Sequence, residues 1–203
     1  MLFFRRRDRV GSCGPAPPRR RPGRSEVVAH LQRALLSLRR GGGQPRVLLT
    51  GPPTGRTIDA LTALGCRVSV EADDRTPVTI EHPDATFDAV LGFDLLDQLD
   101  DRQARRLVAE WVRVLKEGGL LFVVARAPHE RTDDALRFEV LPDGGLAVEV
   151  RPRRAASIRR RGNAGLERLL AGFEIEEHFL RRDGLRELLA RRRGEDRALG
   201  ARP

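Results

Sequence analysis

Lysine is nearly missing from this chain: Lys116 is the sole one among 203 residues. A genome-wide bias toward GC-rich codons accounts for that more simply than selection for phosphate binding, since lysine also binds phosphate, as a point charge. Cysteine is scarce too. Cys13 and Cys66 exclude a disulfide-rich scaffold and give no metal-ligand pair. The four histidines, His30, His82, His129 and His178, are scattered and do not make a metal site either. No run of about eighteen apolar residues is present, so no segment reads as a membrane-spanning helix. The opening Met1-Leu2-Phe3-Phe4-Arg5-Arg6-Arg7 lacks the apolar stretch of a secretion signal. A cytoplasmic protein is the expectation. No internal repeat is visible.

What is there suffices for a core. Hydrophobic residues make up 40 % of the chain, which argues against wholesale disorder. The net charge of +9 divides unevenly: +10 over residues 1–46, −8 over 47–150 and +7 over 151–203. An acidic centre is thus flanked by basic ends, which suit nucleic acid or an anionic membrane surface. Residues 1–24 read as a disordered basic arm, because four prolines interrupt eight arginines. Residues 25–193 read as the folded domain and 194–203 as a flexible tail.

The domain alternates apolar strands with amphipathic helices. Ser25 is an N-cap ahead of a stripe of Val28, Leu31, Leu35 and Leu38, and Gly41-Gly42-Gly43 stops that helix. Strands are predicted at 46–50, 66–71, 87–92 and 119–125. Helices are predicted over 57–64 and after Asp101, the latter facing inward with Ala104, Leu107, Val108, Trp111, Val114 and Leu115. Pro142-Asp143-Gly144-Gly145 marks a hairpin between Leu136–Leu141 and Leu146–Val150. Asn163 caps a short helix, 173–179 alternates as a strand, and 185–192 fits helix or strand. The order is that of an α/β fold with a doubly wound, mostly parallel sheet.

Four segments then resemble a known family. Val47-Leu48-Leu49-Thr50-Gly51-Pro52-Pro53-Thr54-Gly55 is similar to the first motif of class I S-adenosylmethionine-dependent methyltransferases, of the type 11 kind. Phe87-Asp88-Ala89-Val90 with Leu95-Leu96-Asp97-Gln98-Leu99 resembles their fourth strand and its loop. Arg113 to Leu121 resembles the turn into strand five, and Gly172-Phe173-Glu174-Ile175 the start of strand six. The resemblance implies a Rossmann-like sheet and S-adenosylmethionine as cofactor. It places Thr50, Gly51 and Gly55 at the cofactor, Glu71 at its ribose hydroxyls with Asp73 and Asp74 close by, and Gly92 beside its methyl group. The chain departs from the pattern at Leu49, where the family has an acid, and at Pro53, where it has a glycine. Residues 72–86 are also too few for a full crossover and third strand. That region between strands two and four is shortened, with Val78-Thr79-Ile80 left as a candidate edge strand.

Methyl transfer needs alignment more than acid–base chemistry. The catalytic residue stays unassigned, with His129 the one candidate base. Neither cysteine sits in a nucleophile context, and the loop after strand four lacks the Pro-Pro-aromatic arrangement of base methylation. Three readings follow. One is a methyltransferase with a small-molecule acceptor. The second is a catalytically inactive methyltransferase fold serving as a binding or regulatory protein. The third is an RNA-associated relative that binds nucleic acid through its basic ends.

Overall fold

The computed structural model describes residues 19–51, 54–71, 79–129, 133–154 and 158–194. Along the chain run β1 (Arg19–Arg24), α1 (Glu26–Arg40), β2 (Arg46–Thr50), α2 (Gly55–Ala63), β3 (Arg67–Glu71), β4 (Phe87–Phe93), α3 (Leu95–Gln98) and α4 (Asp101–Val114). Then follow β5 (Leu115–Arg126), β6 (Asp134–Val140), β7 (Gly145–Arg154), α5 (Asn163–Leu169), β8 (Phe173–Leu180) and β9 (Leu185–Arg192).

The main sheet has six strands in the order β3-β2-β4-β5-β9-β8. The pairs β2/β3, β2/β4 and β4/β5 are parallel, while β9 is antiparallel to both β5 and β8. All four strands expected from sequence therefore share one sheet. Leu120 to Val124 is buried throughout, as a central strand covered on both faces must be. One face packs on α3, α4 and α5 through Trp111, Leu107, Leu166 and Leu170. The other packs on α1 and α2, and on Phe138, Val140, Leu146 and Val148 from β6 and β7. Those two strands form the expected hairpin and, with β1, a second sheet in the order β1-β7-β6.

Helix ends follow local chemistry. Ser25 Oγ accepts from Val28 N–H at 2.9 Å, and Gly41 closes α1. Thr54 caps α2, which starts two residues before the expected Thr57. The cap of α4 is Asp100 and not Asp101: its carboxylate accepts from Gln103 N–H at 2.8 Å, and Gln103 Oε1 accepts from Asp100 N–H at 3.1 Å. Asp101 is released to bind Arg161. Nor does Asn163 cap α5; Gly162 holds that position, and Asn163 Oδ1 accepts from Arg186 at 3.0 Å.

Four further expectations change. Residues 19–24, read as part of an arm, form β1 and pair with β7 from Arg19↔Val150 to Arg24↔Gly145. Leu38, read as part of the apolar stripe, is 45 % exposed. The long helix ends at Val114, ahead of the glycine pair, because the chain bulges through 116–119 as it enters β5. Thr79 and Ile80 are not in a strand, which leaves β3 as the sheet edge among the described residues; Val78 lies outside them, as do residues 1–18 and 195–203 of the basic ends. Among the described residues, no helix is long and apolar enough to cross a membrane, and no group of three His, Cys, Asp or Glu is arranged to hold a metal.

Candidate functional site

In a doubly wound sheet, ligands bind outside the carboxyl ends of the strands where the strand order reverses. Here that point falls at β2, which has β3 on one side and β4 on the other. Thr50 and Glu71 end their strands as direct neighbours in register, and Thr50 pairs with Gly92 on the opposite side. The structure thus gathers Thr50, Gly51, Glu71 and Gly92 at one edge, with Gly55 opening α2 just beyond.

Their local roles differ. Gly51 adopts φ +94°, a conformation open to glycine and unfavourable for other residues. A side chain there would also meet Phe93 O at 3.2 Å and Leu95 Cγ at 3.3 Å. Thr50 is fully buried and donates its hydroxyl to Leu91 O at 3.1 Å, so it ties β2 to β4. Gly92 faces the interior: a Cβ would lie 2.7 Å from Trp111 Cη2, and the absent side chain makes room for the indole. Gly55 borders open space. Glu71 stays partly exposed, with His82 Nε2 at 3.4 Å from its Oε1. Leu49, at the family's acid position, is buried in the core. Pro52, Pro53, Asp73 and Asp74 lie outside the described residues.

A buried charged cluster lies at the ends of β4 and β5. Asp94 has φ +56° and receives two bonds from the Arg126 guanidinium, at 2.9 and 2.7 Å, with both residues shielded from solvent. Arg126 N–H donates to Asp97 Oδ2 at 2.5 Å, while Asp97 Oδ1 is buried without a partner. From β9, Arg186 donates to Arg126 O and Arg161 O, each at 2.6 Å. Burial pushes the Asp97 carboxyl up to about 7; the bond from the Arg126 amide opposes this, and the nearby Asp94 charge adds to it. Burial also raises the Asp94 carboxyl against the pull of Arg126. Burial lowers the Arg186 guanidinium, with Asp97 opposing.

Sequence reading missed this cluster, although single charges set in apolar runs, Asp97 after Leu95-Leu96 and Arg126 after Val123-Val124-Ala125, are the signal for it. His129 is exposed in the turn after β5. Cys66 is buried, and desolvation pushes its thiol up to about 11, so it is no nucleophile at neutral pH. Cys13 lies outside the described residues.

Strand order, parallel core and switch-point loop together define the class I methyltransferase fold. Residues 57–123 match the family described as "Methyltransferase domain". The chain is similar to the CcbJ methyltransferase from Streptomyces caelestis at 15 % identity and TM-score 0.57, covering 83 % of this chain and 89 % of that one. It is similar to an S-adenosylmethionine-dependent methyltransferase from Mesorhizobium loti at 15 % identity and TM-score 0.56, over 83 % and 99 % of the two chains. A third is the 1,6-didemethyltoxoflavin-N1-methyltransferase of Burkholderia thailandensis, whose structure holds 1,6-didemethyltoxoflavin and S-adenosylhomocysteine. It shows 17 % identity and TM-score 0.55, over 83 % and 79 % of the chains. No curated protein matches the sequence. The resemblance read from the sequence motifs and the doubly wound fold expected with it are thus borne out. At such identities the structural likeness speaks for the fold and not for the reaction.

Proposed function

We propose that this protein binds S-adenosylmethionine across the carboxyl ends of β2 and β3 and transfers its methyl group to a small-molecule acceptor. The observation that carries this reading is Gly51, at φ +94°, directly after Thr50, whose register partner on the neighbouring strand end is the partly exposed Glu71. The residues present fit the cofactor at those two points. Gly51 lets the backbone come close, and the Glu71 carboxylate can accept hydrogen bonds from two adjacent hydroxyls. Thr50 and Gly92 act beneath the site, through the Leu91 and Trp111 contacts described above, and Gly55 leaves space beside it. When bound, the cofactor supplies an electrophilic methyl carbon on a sulfonium. The protein's part is then to hold the acceptor in line and keep water out. A base is needed only where the acceptor must lose a proton.

The test is isothermal titration with S-adenosylmethionine and S-adenosylhomocysteine. Micromolar binding, about −8 kcal/mol, is expected, with Glu71→Ala weakening it at least tenfold. No heat at high concentrations and no thermal shift would overturn the reading. That result would favour a methyltransferase fold that serves as a binding module. Two features support this alternative: Leu49 buried where the family has an acid, and residues 79–86 holding neither the helix nor the strand of a full crossover.

A further inference from the structure

Away from the switch point, a groove of about 410 Å³ lies between α4 and α5, lined by Asp101, Arg105, Arg161, Gly165, Arg168 and Leu169. That volume falls in the range of small-molecule sites, roughly 300–1,000 Å³. Its three arginines face one acid. Arg161 is a fixed wall: it binds Asp101 Oδ1 at 2.7 Å and Leu99 O at 3.0 Å, and also donates to Leu96 O. The charge of Asp101 is thereby satisfied, and the carboxyl is held below its ordinary range, by Arg161 first. Arg105 also pulls on Asp101 through its charge, but neither Arg105 nor Arg168 makes a hydrogen bond or close ion pair among the described residues. Glu167, beside Arg168 in sequence, acts on His178 of β8 instead.

The floor of the groove is built without a side chain. Gly165 sits inside α5, where glycine costs about 1 kcal/mol against alanine. No close packing demands it: a Cβ there would meet only Arg161 Cβ, at 3.7 Å. What glycine does at this position is leave the groove open.

We infer that the α4–α5 groove binds a phosphate-bearing small molecule, gripped by Arg105 and Arg168 against the wall formed by Arg161. An excess of two positive charges in the lining matches the roughly −2 charge of a phosphate group near neutral pH. Guanidinium forks bind such oxygens in pairs. The lining groups converge on a space of about 410 Å³, which suits a short ligand better than a long polyanion. This inference is independent of cofactor binding.

The probe is sodium pyrophosphate, titrated calorimetrically into the full chain at low salt. Saturable millimolar or tighter binding is expected, weakened about tenfold by Arg105→Ser or Arg168→Ser. Gly165→Leu, which fills the groove, is expected to weaken binding at least tenfold without lowering Tm, because it replaces a helix glycine with no backbone strain. An unsaturable or absent signal in the wild type would overturn the proposal. So would wild-type affinity in Gly165→Leu, which keeps every arginine of the chain and would place the anion elsewhere. A uridine oligomer that binds a hundredfold tighter than pyrophosphate, and is lost in Gly165→Leu, would overturn the small-molecule assignment in favour of RNA.

Discussion

Asp97 shows how a single carboxyl can cost a fold stability. One oxygen accepts from the Arg126 amide at 2.5 Å; the other is buried with no partner. Desolvation dominates, and the group titrates near 7 in the folded chain against an ordinary 3.8. The folded state therefore holds a proton between about pH 4 and 7 that the unfolded chain has released. Stability falls as pH rises through that window and levels off above it. Asp97→Asn keeps an acceptor for the Arg126 amide and removes the titration. Urea unfolding at pH 5 and pH 8 should show the wild type losing more stability than the variant, by up to about 2–3 kcal/mol. Equal losses would mean that the carboxyl stays ionised throughout. Asp94 is as deeply buried and is raised by burial too, but Arg126 opposes that rise through both of its oxygens. Removing one partner of such a pair is the costly change, because it strands the other charge.

Between β3 and β4 the chain is short, and a side-chain clamp holds residues 80–84 to α4. Arg113 of α4 donates to Ile80 O, His82 O and Asp84 Oδ1, each at 2.7 Å, and to Glu110 at 2.8 Å. Glu110 in turn accepts from Ile80 N–H at 2.9 Å, and Ile80 drops its side chain into the core. Arg113→Ala should speed amide exchange at Ile80 and His82 about tenfold. Ala85 and Thr86, bonded to the backbone carbonyls of residues 113 and 114, should stay as protected as before. Equal acceleration at all four would mean that the whole connection opens as one unit. The shortness of 72–86 was legible from counting residues. The clamp was not, because it uses one arginine among many and leaves no periodic trace. The cap of α4 was legible only to within one residue, since Asp100 and Asp101 offer the same chemistry.

At the scale of the molecule, the sequence revealed the parallel half of the main sheet well. Its strands β2, β4 and β5 carry apolar runs, β3 alternates, and its helices keep a clear 3.6 period. The three-stranded sheet was legible only as a hairpin. Its third member, β1, is arginine-rich and contains Pro22, the composition of an arm and equally that of an edge strand. At the candidate site, turn chemistry legible in the sequence accounts for Gly51 and its φ of +94°. Gly92 answers a further demand that no sequence pattern displays, from Trp111 packing beneath the strand. The position of β1 has a consequence for the whole fold. It covers the outer edge of β7 over six register pairs, and β7 with β6 covers one face of the main sheet. Without β1, the β7 edge presents unpaired backbone groups, a template for pairing with a second chain. A chain lacking residues 1–24 should therefore melt below one lacking residues 1–18, and its loss of soluble protein on heating should grow with concentration. The two truncations differ only by β1, so charge removed with the first eighteen residues is common to both. Identical melting temperatures and solubilities would show that β7 does not need the strand, and that the second sheet is held by the Phe93–Phe138 stack at 5.5 Å and the core beneath it.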